Sequence, residues 1–196
     1  MTLSRLDTRS PFVVDTRPLG RQPGAMRTEQ RMAPHAGDLG VEMARVPQDA
    51  EIQLDFRLEA VMDGVLVTGA ALARMSAECS RCLDPISDEV EVDFQELFRY
   101  PSDDSLGIDA GGGEGDGAGA DEDYHLEGDL IDLEQVVRDA LILALPLSPL
   151  CRGDCPGLCA ECGAKLADVE ADHSHGDRVD PRWEALRSLS EEFGDQ

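Results

Sequence analysis

From Glu51 to Met62 the chain alternates without a break. Ile52, Leu54, Phe56, Leu58, Ala60 and Met62 share one face, and Glu51, Gln53, Asp55, Arg57 and Glu59 share the other. A period of two over this length dictates a β-strand with one face on a core and one in water. Asp63-Gly64 follows, a hairpin signal, because Gly and Asp tolerate positive φ. Val65 to Ala77 reads as the returning strand, rich in small residues. A third strand begins near Ile86, with Val90, Val92, Phe94 and Phe98 on one face and Glu89, Glu91, Asp93 and Gln95 on the other. Leu39, Val41 and Met43 suggest an earlier strand. The expectation is an antiparallel meander of about four strands.

Helical spacing dominates one segment, Asp129 to Leu145. Leu133, Val136, Val137, Ala140, Leu141 and Ala144 recur at steps of three and four and form one apolar stripe, read as core facing the meander. Asp129 is a cap-type residue at its start, and Pro146 and Pro149 stop it. Asp180-Pro181 opens a short second helix, Arg182 to Phe193, with Trp183, Leu186 and Leu189 on one side. The expected fold class is α+β: an antiparallel strand meander packed by one main helix, followed by a Cys-rich zinc-knuckle segment and a short C-terminal helix.

The 196 residues allow one domain of ordinary size, or one with long tails. Residues 1–36 read as an Arg-rich N-terminal arm with one short strand around Phe12-Val13-Val14, because Pro18, Gly20, Pro23 and Gly24 break regular structure beyond it. The arm is either simply solvated or touches RNA or an acidic partner. Residues 37–190 read as the domain proper, and 191–196 as a tail. Within the domain, 102–123 is rich in Gly and Asp and holds no Lys or Arg, so it is expected to be a disordered acidic insert.

Acidic side chains number 41 against 17 basic ones, for a formal charge of −24. That balance argues against a sequence-independent nucleic-acid binder, which needs cations to displace phosphate counterions. No apolar run approaches the ~20 residues of a membrane span, and the N-terminus has no apolar signal core. The expectation is a soluble, cytoplasmic protein.

The six cysteines are Cys79, Cys82, Cys151, Cys155, Cys159 and Cys162. In a cytosol, tight C-x-x-C and C-x-x-x-C spacings favour metal over disulfide. Cys159-Ala-Glu-Cys162-Gly163 has the form of a zinc knuckle, in which a turn points two thiolates at one ion and Gly lets backbone N–H groups approach sulfur. One knuckle is half of a tetrahedral site. The six cysteines with His173 and His175 would fill two. Three pairings are open. Cys159 and Cys162 can join His173 and His175, leaving Cys79 and Cys82 to Cys151 and Cys155. The two C-x-x-C knuckles can instead share one all-thiolate ion, leaving Cys151 and Cys155 to the histidines. An all-thiolate site can also be drawn from the C-terminal cysteines alone, with His173 and His175 merely on the surface. A redox role for Cys79 and Cys82 lacks the βαβ context and helix N-terminus that stabilise a reactive thiolate. No phosphate-binding loop, nucleophile elbow, H-E-x-x-H or deaminase signature occurs, so no catalytic site is expected.

Several of these pieces occur together: Cys79-Ser-Arg-Cys82-Leu-Asp-Pro on a hairpin, an acidic insert, Leu143-Ala-Leu-Pro146 leading into Cys151-Arg-Gly-Asp-Cys155-Pro-Gly-Leu-Cys159-Ala-Glu-Cys162-Gly163, and Asp180-Pro-Arg-Trp-Glu-Ala-Leu186. This resembles the YceD family, the large ribosomal RNA subunit accumulation proteins, from about residue 10 to 190, making 37–190 a YceD-like domain. The resemblance implies a role in accumulation of 23S ribosomal RNA, and a gene just upstream of one for a large-subunit ribosomal protein. Many members carry Cys-x-Cys where this chain has His173-Ser-His175, a replacement compatible with zinc ligation. The resemblance transfers no catalytic or RNA-binding residue.

The leading expectation is a non-enzymatic ribosome-biogenesis factor, stabilised by zinc, that binds a large-subunit ribosomal protein or pre-ribosomal particle. Contact with rRNA would be direct or indirect, and no membrane or small-molecule substrate is expected. The alternatives are a zinc-dependent nucleic-acid-binding module using the Arg-rich arm, and a redox- or zinc-responsive sensor.

Overall fold

Strand β5 (Glu51–Ala60) follows the alternation closely. Ile52, Leu54, Phe56, Leu58 and Ala60 are buried, while Glu51, Gln53 and Arg57 are exposed. The computed structural model describes residues 6–35, 37, 39–101 and 124–176. The acidic insert 102–123, the second helix and the C-terminal tail of the sequence reading lie outside them. Met62, placed on the core face by periodicity, is exposed. The strand ends at Ala60, and Met62 sits in the turn where Val61 N–H donates to Gly64 O.

The chain divides into two units, Met1–Ser80 with Asp84–Cys151, and Arg81–Leu83 with Arg152–Gln196. In the first, β6 (Gly64–Glu78) pairs antiparallel with β5 on one side, and with β7 (Pro85–Arg99) along its whole length on the other. This is the expected meander, with Asp63-Gly64 at its first turn. It is extended by strands added to β5 and to β6. β2 (Met26–Pro34) pairs with the outer edge of β5. Two short strands, β3 (Leu39–Gly40) and β4 (Ala44–Val46), pair with each other, and β4 continues onto β6 where β5 has ended. The sheet thus has six strands among the described residues.

β2 corrects the reading of 1–36 as an arm with one short strand. That short strand exists as β1 (Val13–Asp15), paired with β8 (Leu130–Asp132). Residues 26–34, however, are part of the sheet. The signal was hidden because only Ala33 of β2 is buried. Its order comes from the β5 ladder and from charge pairs. Arg27 and Arg31 both meet Glu29, and Arg31 also donates to the carbonyls of Pro11 and Val13.

The helix α1 (Glu134–Ala144) starts five residues later than Asp129. Residues 130–132 are taken by β8, and the Asp132 carboxylate, not that of Asp129, accepts from the Glu134 N–H. Asp129 is used elsewhere. Its carbonyl accepts from both the N–H and the hydroxyl of Thr16, and its carboxylate pairs with Arg21. Of the expected apolar stripe, Leu133, Val136, Val137 and Leu141 are buried and Ala140 is half-buried, but Ala144 is exposed and Leu145, one residue on, is buried in its place. Each such side chain contributes about 1.5–3 kcal/mol of burial. α1 packs against β7, and Val90, Phe94 and Phe98 face the shared core.

Candidate metal centres

Both C-x-x-C segments form the same turn. In the first, the Cys79 N–H donates to Asp84 O at 2.8 Å, and in the second the Cys159 N–H donates to Ala164 O, also at 2.8 Å. Each bond closes over five residues. In each, the residue after the second cysteine is left-handed: Gly163 at φ 72° and Leu83 at φ 61°. Glycine takes that conformation freely, whereas a side chain costs about 1–2 kcal/mol. Leu83 was missed by sequence reasoning. Laying the two knuckles over each other, cysteine on cysteine, puts Leu83 at the position of Gly163 and was the available signal. Strain of this kind gathers at sites that the surrounding structure over-determines.

Within the first unit, the sulfurs of Cys79 and Cys151 lie within 4.8 Å of each other. Two bonds anchor them: the Ser80 N–H and hydroxyl both donate to Pro149 O, tying the knuckle strand to the segment beyond α1. In the second unit the sulfurs of Cys82 and Cys155 also lie within 4.8 Å. Arg81 donates to Cys155 O at 2.9 Å, and Gly157, at φ 82°, brings its backbone against Arg81 O. Cys79, Cys82 and Cys155 are buried and Cys151 is exposed.

The second unit also holds a complete group of four. The ligand atoms of Cys159, Cys162, His173 and His175 all lie within 4.8 Å of one another. The Gly163 N–H donates to Cys159 O and closes the knuckle, while the His173 N–H donates to Glu170 O and sets the loop carrying the histidines. The two rings are perpendicular, with Nε2 of each turned to the other at 3.0 Å, and His173 Nε2 is 3.5 Å from Cys162 Sγ. Tetrahedral zinc with its usual bond lengths separates sulfur from nitrogen by about 3.6 Å and two nitrogens by about 3.3 Å. The donor set therefore fits zinc in chemistry and spacing. The Cys159 thiol is lowered to about 6, first by the backbone N–H groups of Cys162 and Glu161 and then by the His173 ring. Those donors stabilise the thiolate, the form that binds metal.

Four arginines of the N-terminal segment, Arg17, Arg21, Arg27 and Arg31, are engaged inside the first unit. Arg17 pairs with Asp15, which holds the Asp15 carboxyl below its usual range, and Arg21 pairs with Asp129 and lies over the Tyr100 ring. No helix among the described residues is long and apolar enough to cross a membrane.

Residues 67–190 match the family model described as "Large ribosomal RNA subunit accumulation protein YceD". The chain belongs to the YceD family. It is 42% identical to the uncharacterized protein ML1660 of Mycobacterium leprae, over 92% of this chain and 78% of that one. It is 43% identical to the uncharacterized protein Rv2926c of Mycobacterium tuberculosis, over 90% and 80%. The uncharacterized protein YlbN of Bacillus subtilis is 27% identical over 59% of this chain and 60% of its own. No solved structure matches. The YceD family is described by its part in large-subunit RNA accumulation, and the cysteine groups of this chain are of a kind that can hold a metal ion.

Proposed function

We propose that this YceD protein is a non-enzymatic factor for large-subunit assembly, which promotes 23S rRNA accumulation by holding a basic ribosomal protein or precursor particle. The family match carries the RNA part of this reading. The charge of −24 supports the protein partner, since an acidic surface attracts a basic protein and repels naked RNA. The ion pairs of Arg17, Arg21, Arg27 and Arg31 favour it over phosphate binding by the N-terminal segment.

The proposal includes two structural zinc ions. One takes Cys159, Cys162, His173 and His175. The other takes Cys79, Cys82, Cys151 and Cys155, for which the Cys79–Cys151 and Cys82–Cys155 approaches and the shared knuckle turn are the support. Bound zinc supplies a cross-link in a segment with little apolar burial of its own. Elemental analysis in reducing buffer should give two zinc ions per chain, falling to about one in Cys82→Ser and to about one in the His173→Ala/His175→Ala double variant. Well under one ion per wild-type chain would refute the metal reading. For the partner, tagged protein at low salt should retain large-subunit proteins or precursor rRNA; retention of neither would end the assembly reading.

A further inference from the structure

A groove of about 490 Å³ lies in the first unit between β7 and α1. It touches residues 92–96 of β7, five in a row, together with Val136, Ala140 and Leu143 of α1. Successive strand residues point to opposite faces. A cavity that meets five consecutive residues therefore runs along the edge of the strand, not over one face. Among the described residues, β7 pairs with β6 alone from Pro85 to Phe98. An edge left in this state is a template for one more strand.

The side chains on this edge limit what can be added. Asp88, Glu89, Glu91 and Asp93 are exposed, and Glu96 is half-buried. Among the described residues, none of these five carboxylates is in an ion pair. A second copy would bring the same negative charges against them, and RNA would bring phosphates. Residues 102–123 of the chain hold no cation to offer. The wall opposite the edge is apolar except for Asp139, whose carboxylate accepts from the Gln135 amide, and Leu143 on it is 86% exposed. A segment that alternates Lys or Arg with apolar residues satisfies both walls at once: apolar side chains against Val136, Ala140 and Leu143, and cations beside Glu91 and Asp93.

We infer that the groove between β7 and α1 receives an extended, Lys/Arg-rich segment of a protein partner as an added strand on the edge of β7. This rests on the proposed holding of a basic ribosomal protein and names the surface that does it. Main-chain hydrogen bonds to β7 provide the sequence-tolerant part of recognition, and the groove selects an apolar residue at alternate positions.

The test uses the full zinc-loaded chain and two probes. One is total protein extracted from purified large ribosomal subunits, and the other is a synthetic peptide of about twelve residues alternating Lys and Val. The variants are Glu91→Lys/Asp93→Lys and Leu143→Lys, all at exposed positions, with unfolding temperature checking that the fold is kept. The peptide should slow exchange of alternate backbone amides between residues 88 and 96, and both variants should weaken binding of both probes about tenfold or more. If the wild type holds ribosomal proteins and the variants hold them equally, the groove is refuted while the assembly reading stands. If the wild type holds neither probe, the groove and the holding of a basic ribosomal protein both fall. Protection of the same amides by an RNA oligonucleotide or by a second copy would also overturn the assignment.

Discussion

Cys159 shows how a backbone turn can favour a thiolate. Two N–H groups and an imidazole face its sulfur, so the thiolate is favoured in the folded knuckle and the thiol titrates at about 6. The sign follows from that depression. The stability contributed by this thiolate is present above the ordinary thiol range and is lost as pH falls through about 6. In zinc-free, reduced protein, alkylation of Cys159 by iodoacetamide should rise through pH about 6. An unperturbed thiol would rise only near ~8.5. Peptide mapping of the alkylated site across pH reads this directly. A midpoint in the ordinary range would mean that the donors aim at the sulfur only once metal is bound. At the matching knuckle the left-handed residue is Leu83, exposed and without glycine's freedom, so that turn is held by its surroundings and not by local preference.

At the scale of elements, legibility tracked how much of each segment's order is local. β5 was readable because alternate side chains are buried along nearly its full length. β2 was not, because its apolar and polar residues do not sort by face and its partners are residues 51–59 in the ladder and Pro11 and Val13 through Arg31. The start of α1 was misplaced for a related reason. Asp129 and Asp132 are equally good cap residues in sequence, and only the long-range pairing of 130–132 with Val13–Asp15 decides between them. Gly69 marks another contact that local pattern cannot reveal. A Cβ there would lie 2.6 Å from both Asp55 O and Phe56 Cβ, so the β5–β6 ladder closes on a glycine. The stripe of α1, legible from spacing alone, gives the element-scale prediction. Leu141 is fully buried, and Leu141→Ala should cost about 2–5 kcal/mol in denaturant unfolding, the usual price of emptying a packed core position. A loss under about 0.5 kcal/mol would mean that α1 is not anchored by this face.

For the whole molecule, the decisive contrast is between the ways the two units are held. The first has a sheet, a helix and a continuous apolar core running from Phe12 to Leu145. In the second, over 81–83 and 152–176, the buried apolar side chains are Cys82 and Cys155. A segment with as little apolar burial as these described residues usually needs metal or disulfide cross-links. The proposed metal ions would supply such a cross-link here, since the ligand atoms of Cys159, Cys162, His173 and His175 stand within 4.8 Å of one another. The metal spacing was legible because knuckles are local. Which distant cysteines stand near one another was not, because the approach of Cys79 to Cys151 depends on where β6 and the segment beyond α1 bring the chain. Zinc removal should therefore act unevenly. A zinc-selective chelator in reducing buffer should release the amides of 152–176 to near-unfolded exchange rates, because structural zinc supplies roughly 10–16 kcal/mol to domains of this kind. Amides of β5 and β6, protected by the core and the ladder, should exchange as slowly as before apart from those next to Cys79. Hydrogen exchange followed by mass spectrometry separates the outcomes. Unchanged protection in 152–176 after complete zinc removal would show that the knuckles hold themselves without an ion. Loss of protection throughout β5 and β6 would show that the sheet, too, depends on the metal.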